Sequence, residues 1–202
     1  MMNTANVVLR SGLTVARVCA RASLSPNAVG MLADDGDVRG WLEKLVATGL
    51  YEDAVGFIAH VLPRREAVWW AWTCAGAVAG EQPSASDAAV LEATRLWIIQ
   101  PTDENRRTAM TAAEATDFET PAGIAGFAAF LCGDTIAPPE APPTPPDHGA
   151  AAKAIAACVN IAATADAGQV PAKFREFLQK GIEMADKRHV WSTDPAEQEE
   201  GA

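Results

Sequence analysis

The chain has 202 residues, of which 49% are hydrophobic and 21% charged, and its formal net charge is −10. This balance is typical of a globular protein with a buried core. The acidic charge argues against a nucleic-acid or anionic membrane partner, because phosphate binding requires clustered Lys and Arg. The most apolar window, residues 67–80, is shorter than the roughly 20 residues that cross a bilayer. Together with an N-terminus that lacks a signal peptide's continuous apolar region, this predicts a cytoplasmic protein.

Residues 1–34 form an N-terminal segment whose local structure the pattern leaves open. Polar and apolar residues over 13–19 follow neither the strand period nor the helix period cleanly. A short strand and a helical turn therefore remain as alternatives.

From residue 35 onward the helical period dominates. One apolar stripe at spacings of three and four residues comprises Val38, Trp41, Leu42, Leu45 and Val46. This is one face of an amphipathic helix. A second stripe begins at Tyr51 and ends at Pro63, and two helices joined so closely should pack as a hairpin.

The next stretch, residues 63–80, is apolar around its whole circumference from residue 67 and predicts a buried, central helix. Core packing is the expected role of four of the tryptophans, namely Trp41, Trp69, Trp72 and Trp97. Tryptophan is also a favoured anchor of binding surfaces. We take Trp70, which points about 100° away from Trp69, and Trp191, beside the acidic tail, as candidate protein-binding residues.

Capping signals delimit the later helices. Ser84 or Ser86 begins one helix and Thr102 begins the next. Thr120 followed by Pro121 begins another, which Gly133 should terminate. Two more helices are predicted over 147–166 and 170–191, and the acidic tail 191–202 should be disordered. The predicted fold is all-α, a single compact domain over 35–190 arranged as a bundle or array of seven or eight helices.

The sequence contains no arrangement typical of a catalytic or metal site. The three histidines are isolated, and Cys132 with His148 supplies only two potential ligands. Acidic pairs such as Asp103 and Glu104 fit better as helix-start residues than as an acid–base pair. Neither a GxSxG motif nor a phosphate-binding loop occurs. We expect a protein that is not an enzyme and holds no cofactor or metal.

The four cysteines are each surrounded by apolar residues, and no two are separated as in CxxC. Reduced, buried thiols are expected from this pattern, with two disulfides as the alternative.

Two arginine pairs are further candidates for protein binding. Arg106 and Arg107 are adjacent, so their side chains diverge on a helix and one can reach inward. A solvated helix face is one interpretation, and an anchor for the neighbouring loop or for an acidic partner is the other. Arg64 and Arg65 admit the same two interpretations.

A proline-rich connector, residues 134–147, places six prolines in the nine positions 138–146. Fully extended, these nine residues would span about 28 Å at the polyproline rise of ~3.1 Å per residue. They could act as a PxxP ligand through residues such as Pro142 and Pro143. The helices on both sides favour an intramolecular strap in polyproline conformation, packed on the helices with a tryptophan as one candidate contact.

Three stretches, PRREAVWWAW, DENRRTAMTAAEATDFETPAGIAGFAAFLCGDTIAPPEAPPTPP and PAKFREFLQKGIEMA, follow one another within residues 35–188. Their order resembles a family of uncharacterised bacterial all-helical proteins with a tryptophan-bearing helix, an ENRR helix, a TPAG helix start and an APP…PP connector. Some members are encoded near type VI secretion genes, which implies an accessory or effector-chaperone role. The resemblance supplies no catalytic residues.

The preferred hypothesis is a non-enzymatic cytosolic adaptor or chaperone that binds another protein, such as a secretion effector or secretion component. One alternative is a helical enzyme or small-molecule-binding protein with a pocket between helices, using Arg106, Arg107 and Glu104. The other is a structural homodimer formed through the tryptophan-rich helix.

Overall fold

The computed structural model describes residues 9, 12–32, 37–188 and 190. Within these residues the chain forms ten α-helices and no strand, which confirms the all-α prediction. The helices are α1 (Val15–Arg21), α2 (Pro26–Gly30), α3 (Val38–Thr48), α4 (Tyr51–Val61), α5 (Arg64–Ala79), α6 (Ala85–Ile99), α7 (Asp103–Glu114), α8 (Pro121–Phe130), α9 (Ala150–Thr164) and α10 (Val170–Lys187). None of the helices in the described ranges is both long enough and apolar enough to span a bilayer.

Eight of these helices correspond to predicted ones, and the two additional helices, α1 and α2, lie in the N-terminal segment. Of the two alternatives for residues 13–19, the structure therefore has the helix. Thr14 caps α1 by accepting a hydrogen bond from the Arg17 amide, and Ser25 caps α2 in the same way through the Ala28 amide. The predicted tail 191–202, including Trp191, lies outside the described residues.

The chain divides into two compact units. Unit 1 comprises residues 1–62 and 174–202, and unit 2 comprises residues 63–173. The limits of the single domain predicted over 35–190 stay a prediction.

In unit 1 the core forms around Trp41 of α3. Its indole nitrogen donates to the Ala28 carbonyl at 3.0 Å, and its ring meets the edge of Phe57 of α4 at a centroid distance of 4.9 Å. Asp53 of α4 accepts from both the amide and the hydroxyl of Ser25, at 2.7 and 2.8 Å. These bonds hold the start of α2 against α4.

In unit 2 the central helix is α8, which contacts α5, α6, α7 and α9. Six of its ten residues are Ala or Gly, and such small side chains let neighbouring helices approach closely. At Gly126 a Cβ atom would lie 2.5 Å from Val90 Cγ2 and 3.0 Å from the Ala109 carbonyl oxygen. The close packing of α6 and α7 onto α8 therefore depends on the missing side chain.

The prediction that α5 is buried on all sides is wrong. Trp70 is fully buried, whereas Trp69, on the neighbouring face, is 47% exposed. Trp72 is partly buried, and its indole nitrogen donates to the Leu91 carbonyl of α6 at 2.9 Å. Its all-round apolar sequence predicted a central position for α5, but this helix contacts its unit 2 neighbours along only part of its circumference.

Candidate functional site

Asp103 and the ENRR segment that follows it form the start of α7, where three charged side chains, Asp103, Arg106 and Arg107, lie close together. Thr102 caps the helix by accepting a hydrogen bond from the Asn105 amide. Asp103, in the first turn, is followed at positions i+3 and i+4 by Arg106 and Arg107, the spacing at which helical side chains meet. Both guanidinium groups bind the Asp103 carboxylate.

Arg106 is the one of the two arginines that reaches inward, with only 3% of its side chain exposed. It donates through Nε to Asp103 Oδ1 at 3.0 Å and through Nη1 to the Phe130 carbonyl oxygen at 2.8 Å. Its guanidinium also lies 4.8 Å from the centroid of the Phe130 ring. Arg106 thus binds a carbonyl at the C-terminus of α8, whose other hydrogen bond is a long one from the Gly133 amide, at 3.4 Å.

Arg107 faces the connector instead of α8. Its Nε donates to Asp103 Oδ2 at 2.7 Å, and its Nη2 donates to the Ala137 carbonyl oxygen at 2.9 Å. The hydrogen bonds from Arg107 and Arg106 hold the pKa of Asp103 below its usual value. One carboxylate therefore orients both arginines, one towards α8 and the other towards the connector.

The connector folds back on itself, so residues 138–146 do not form the single extended polyproline strap that the sequence predicted. The Ile136 amide donates to the Thr144 carbonyl oxygen at 2.7 Å, and the Ala141 amide donates to the Pro138 carbonyl oxygen at 3.0 Å. The Thr135 hydroxyl oxygen accepts from the amides of Ala137 and Thr144, at 3.1 and 2.8 Å. These bonds close a loop over residues 135–144, with its turn at residues 138–141.

A groove of about 510 Å³ lies between α7, α8 and this loop. It is lined by one face of α7, by the C-terminal half of α8 and by the first residues of the connector: Arg107, Met110, Thr111, Glu114, Phe127, Phe130, Leu131, Ile136, Pro138 and Pro139. We refer to this cavity as the groove. Its lining is mostly apolar, and its volume suits a few side chains of a partner or a small ligand.

Apolar surface continues outside the groove. Phe118, which follows α7, is 37% exposed and packs against Phe127 at a ring-centroid distance of 5.4 Å. Within the groove itself, Ile136 is 41% exposed. Phe118 has a φ of 57° and Asp117 a φ of 51°, a left-handed pair of residues at the turn from α7 to α8. Backbone of this kind is rare for aromatic residues, and residues held in rare conformations tend to cluster at functional sites.

The other candidate arginines donate to backbone carbonyls within unit 2. Arg64 Nη1 donates to the Cys132 carbonyl oxygen at 3.1 Å. Arg65 donates through Nη2 to the Ile99 carbonyl oxygen at 3.3 Å, and its Nε bonds the carbonyl of Ile98. Both guanidinium groups therefore join the N-terminal turn of α5 to the C-terminal ends of α6 and α8.

The remaining candidates within the described residues, one tryptophan and two prolines, differ in how exposed their side chains are. Trp70 is fully buried, so it offers no surface to a partner, and Trp69 is the exposed tryptophan of α5. Pro142 and Pro143 are exposed on the loop, and they stay predicted protein-binding residues.

Several residues of the groove were not singled out from the sequence, above all Met110, Glu114 and Phe127, and neither was Phe118 beside it. Met110 and Glu114 do follow Arg107 at three and seven residues, so a helical projection places them on one face. Nothing local indicates that α8 and the connector lie against that face.

A second cavity, of about 460 Å³, lies in unit 1 against α1 and α2. It is lined by Ala16, Cys19, Ala20, Ser23, Leu24, Val29 and Leu32. Burial raises the pKa of the Cys19 thiol to about 11, so this cysteine is a protonated, weak nucleophile at neutral pH. The lining contains no charged side chain, and we therefore take the groove of unit 2 as the candidate site.

The cysteines also fit a structural role. All four are free thiols in the structure, and Cys19, Cys74 and Cys158 are buried. Burial raises the pKa of Cys132 to about 12 and that of Cys158 well above its usual value. No group of three or more His, Cys, Asp or Glu side chains that could hold a metal occurs within the part of the chain that the structure describes.

Comparison with known proteins gives one relationship. A search of curated proteins found no match, and neither did a search of solved structures. A family model matches residues 41–185, nearly three quarters of the chain, and this range includes every residue that lines the groove. The chain belongs to the family of unknown function DUF6931.

Proposed function

We propose that this protein is a non-enzymatic adaptor or chaperone that binds a segment of another protein in the groove. The observation that carries the proposal is the exposed apolar lining of the groove. Phe127, Ile136, Pro138 and Pro139 line it, and Phe118 extends the apolar surface beside it. Exposed apolar side chains gathered in one cleft offer the kind of contact that anchors a partner's side chains.

The polar groups at the groove favour a protein partner over a small polar substrate. A small-molecule site needs polar groups that converge on the ligand. Arg107 instead binds Asp103 and the Ala137 carbonyl, and Arg106 is buried against α8. The two arginines thus support the walls of the groove, and the apolar side chains are left to bind.

The class of partner comes from the resemblance noted in the sequence. Relatives encoded near type VI secretion genes point to a secretion effector or a secretion component as the bound protein. A cytoplasmic adaptor of this kind would hold its partner before export, and no catalysis is needed for that role.

The proposal can be tested by blocking the groove. Thr111 is an exposed residue of α7 that lines the groove, so Thr111→Trp would fill part of it. Thr108→Trp is the matched control, because Thr108 is equally an exposed threonine of α7 but is not part of the lining. Wild type and both variants would be used to capture proteins from an extract of the native host, with quantification by mass spectrometry.

We expect the capture to find a partner protein that wild type and Thr108→Trp retain in equal amounts. Once purified, this partner should bind Thr111→Trp about tenfold more weakly than it binds wild type, a loss typical of a disrupted interface anchor. If every protein retained by wild type binds Thr111→Trp equally well, the groove is not the binding site.

A further inference from the structure

We infer that the segment bound in the groove is basic as well as apolar, and that a Lys or Arg of the partner pairs with Glu114. This inference rests on the proposed function, since it names the kind of segment that the same groove accepts. Three observations lead to it. They are the length of the groove, the hydrogen-bonding partners of the charged side chains at its two ends, and the negative charge of the surrounding sequence.

The length of the groove sets the size of the segment. The α7 residues in the lining, Arg107, Met110, Thr111 and Glu114, recur at i, i+3, i+4 and i+7. At ~1.5 Å per residue this face is about 10 Å long. It therefore accommodates two apolar side chains of a partner, one helical turn or two strand positions apart.

The two ends of the groove differ in the charge they offer. At one end, the Arg107 guanidinium is bound by the Asp103 carboxylate and the Ala137 carbonyl. At the other end, Glu114 is exposed, and no side chain of the described residues binds its carboxylate. Glu114 is also the last residue of α7, where the helix dipole is negative and favours a cation.

The charge of the surrounding sequence also favours a cationic partner. Between Arg107 and Lys153 the sequence contains no Lys or Arg but six acidic residues, Glu114, Asp117, Glu119, Asp134, Glu140 and Asp147. Asp117 precedes Phe118, and Glu140 follows Pro139, so two of these acids adjoin residues of the apolar surface. Complementary charge on the partner is the arrangement that speeds association and excludes acidic competitors.

A peptide selection tests the inference with a defined probe. A phage library of random 12-residue peptides would be selected on immobilised wild-type protein, in the presence of excess soluble Thr111→Trp protein. The soluble variant removes peptides that bind outside the groove. We expect the surviving sequences to share two apolar residues at helical or strand spacing, with a Lys or Arg to one side of them.

One enriched peptide, made synthetically, would then be titrated against wild type, Glu114→Gln and the control Glu104→Gln. Glu104 is an exposed carboxylate of the same helix outside the groove. We expect affinity to fall between about threefold and tenfold for Glu114→Gln only, as for a charge pair at an interface. The peptide with its Lys replaced by Glu should bind Glu114→Lys better than it binds wild type.

The outcomes separate this inference from the proposed function. If the selected peptides depend on the groove but are not enriched in Lys or Arg, and if they bind Glu114→Gln as well as wild type, the inference of a basic partner is wrong. The groove would still be a binding site in that case. A selection that yields no groove-dependent peptide would overturn both.

Discussion

At the scale of single residues, the neighbours Arg106 and Arg107 bind different parts of the structure. Their side chains leave α7 about 100° apart, so one reaches the α8 terminus and the other reaches the connector. The sequence predicted the divergence and that one side chain could turn inward, and the burial of Arg106 confirms it. The sequence could not predict which of the two arginines turns inward, because that depends on where the α8 terminus lies in space.

Gly133 makes the buried position of Arg106 possible. A Cβ atom at residue 133 would lie 2.4 Å from both Cζ and Nε of Arg106. The sequence predicted Gly133 as the terminator of α8, but Gly133 is not among the residues with positive φ, and α8 ends at Phe130. The absence of a side chain at residue 133 therefore serves the packing of Arg106.

We accordingly expect Gly133→Ala to lower the free energy of unfolding by about 1–3 kcal/mol, because a buried, hydrogen-bonded guanidinium would have to move. Gly76→Ala is the control, since a Cβ there would meet nothing within 4 Å and residue 76 lies inside α5. That variant should gain about 0.5–1 kcal/mol. Urea unfolding followed by circular dichroism measures both, and equal stability of the two variants would contradict the role of Gly133.

At the scale of elements, helix starts were predictable because a cap is a local contact. Ser84, Thr102 and Thr120 each accept a hydrogen bond from the amide three residues later. Such a bond depends on the sequence of one turn only, and all three caps are confirmed.

The path of the connector was not predictable in the same way. The extended form was inferred from its prolines, but the non-proline residues decide its shape. Ile136, Ala137, Ala141 and Thr144 keep their amide protons, and all four make the hydrogen bonds that close the loop. The groove escaped prediction for a related reason, since its walls come from three segments whose mutual contacts are not encoded in any one of them.

Thr135 should be the residue that holds this loop closed. Thr135→Val keeps the shape of the side chain but removes the acceptor of two amides, those of Ala137 and Thr144. We expect faster hydrogen exchange of both amides by NMR, with a stability loss of about 0.5–1.5 kcal/mol per lost bond.

The comparison for this prediction is Thr144→Val. The Thr144 hydroxyl donates only to the Pro142 carbonyl, at 3.4 Å, so its removal leaves both amide bonds in place. If the amides of Ala137 and Thr144 exchange as slowly in Thr135→Val as in Thr144→Val, the loop is held by other contacts.

At the scale of the whole molecule, helical periodicity and capping residues predicted the fold class, and contacts between helices decided which aromatic residues are buried. Trp69 and Trp70 are consecutive in one helix, but one is 47% exposed and the other fully buried. Residues far apart in the sequence, on α6, α8 and α9, determine which side of α5 is covered. Periodicity predicts where a helix lies in the sequence better than it predicts which side of the helix is buried. A helix that is apolar all round, such as α5, has no apolar stripe to mark the buried side.

The division of the chain leads to the last prediction. Unit 2 is one continuous stretch, residues 63–173, and it contains α5 to α9 and every residue that lines the groove. A stretch of this size is long enough for a core of its own. We expect the isolated segment 63–173 to be helical and to unfold cooperatively in urea, as measured by circular dichroism.

Two substitutions would show that this fold rests on the core described for unit 2. Within the segment, Trp70→Ala should cost about 3–5 kcal/mol, as for other buried aromatic residues, while Trp69→Ala should cost far less because its ring is half exposed. The folded segment should also bind the selected basic peptide with the affinity of the full chain, since the groove is complete within it. A segment without a cooperative transition would mean that unit 2 requires the rest of the chain to fold.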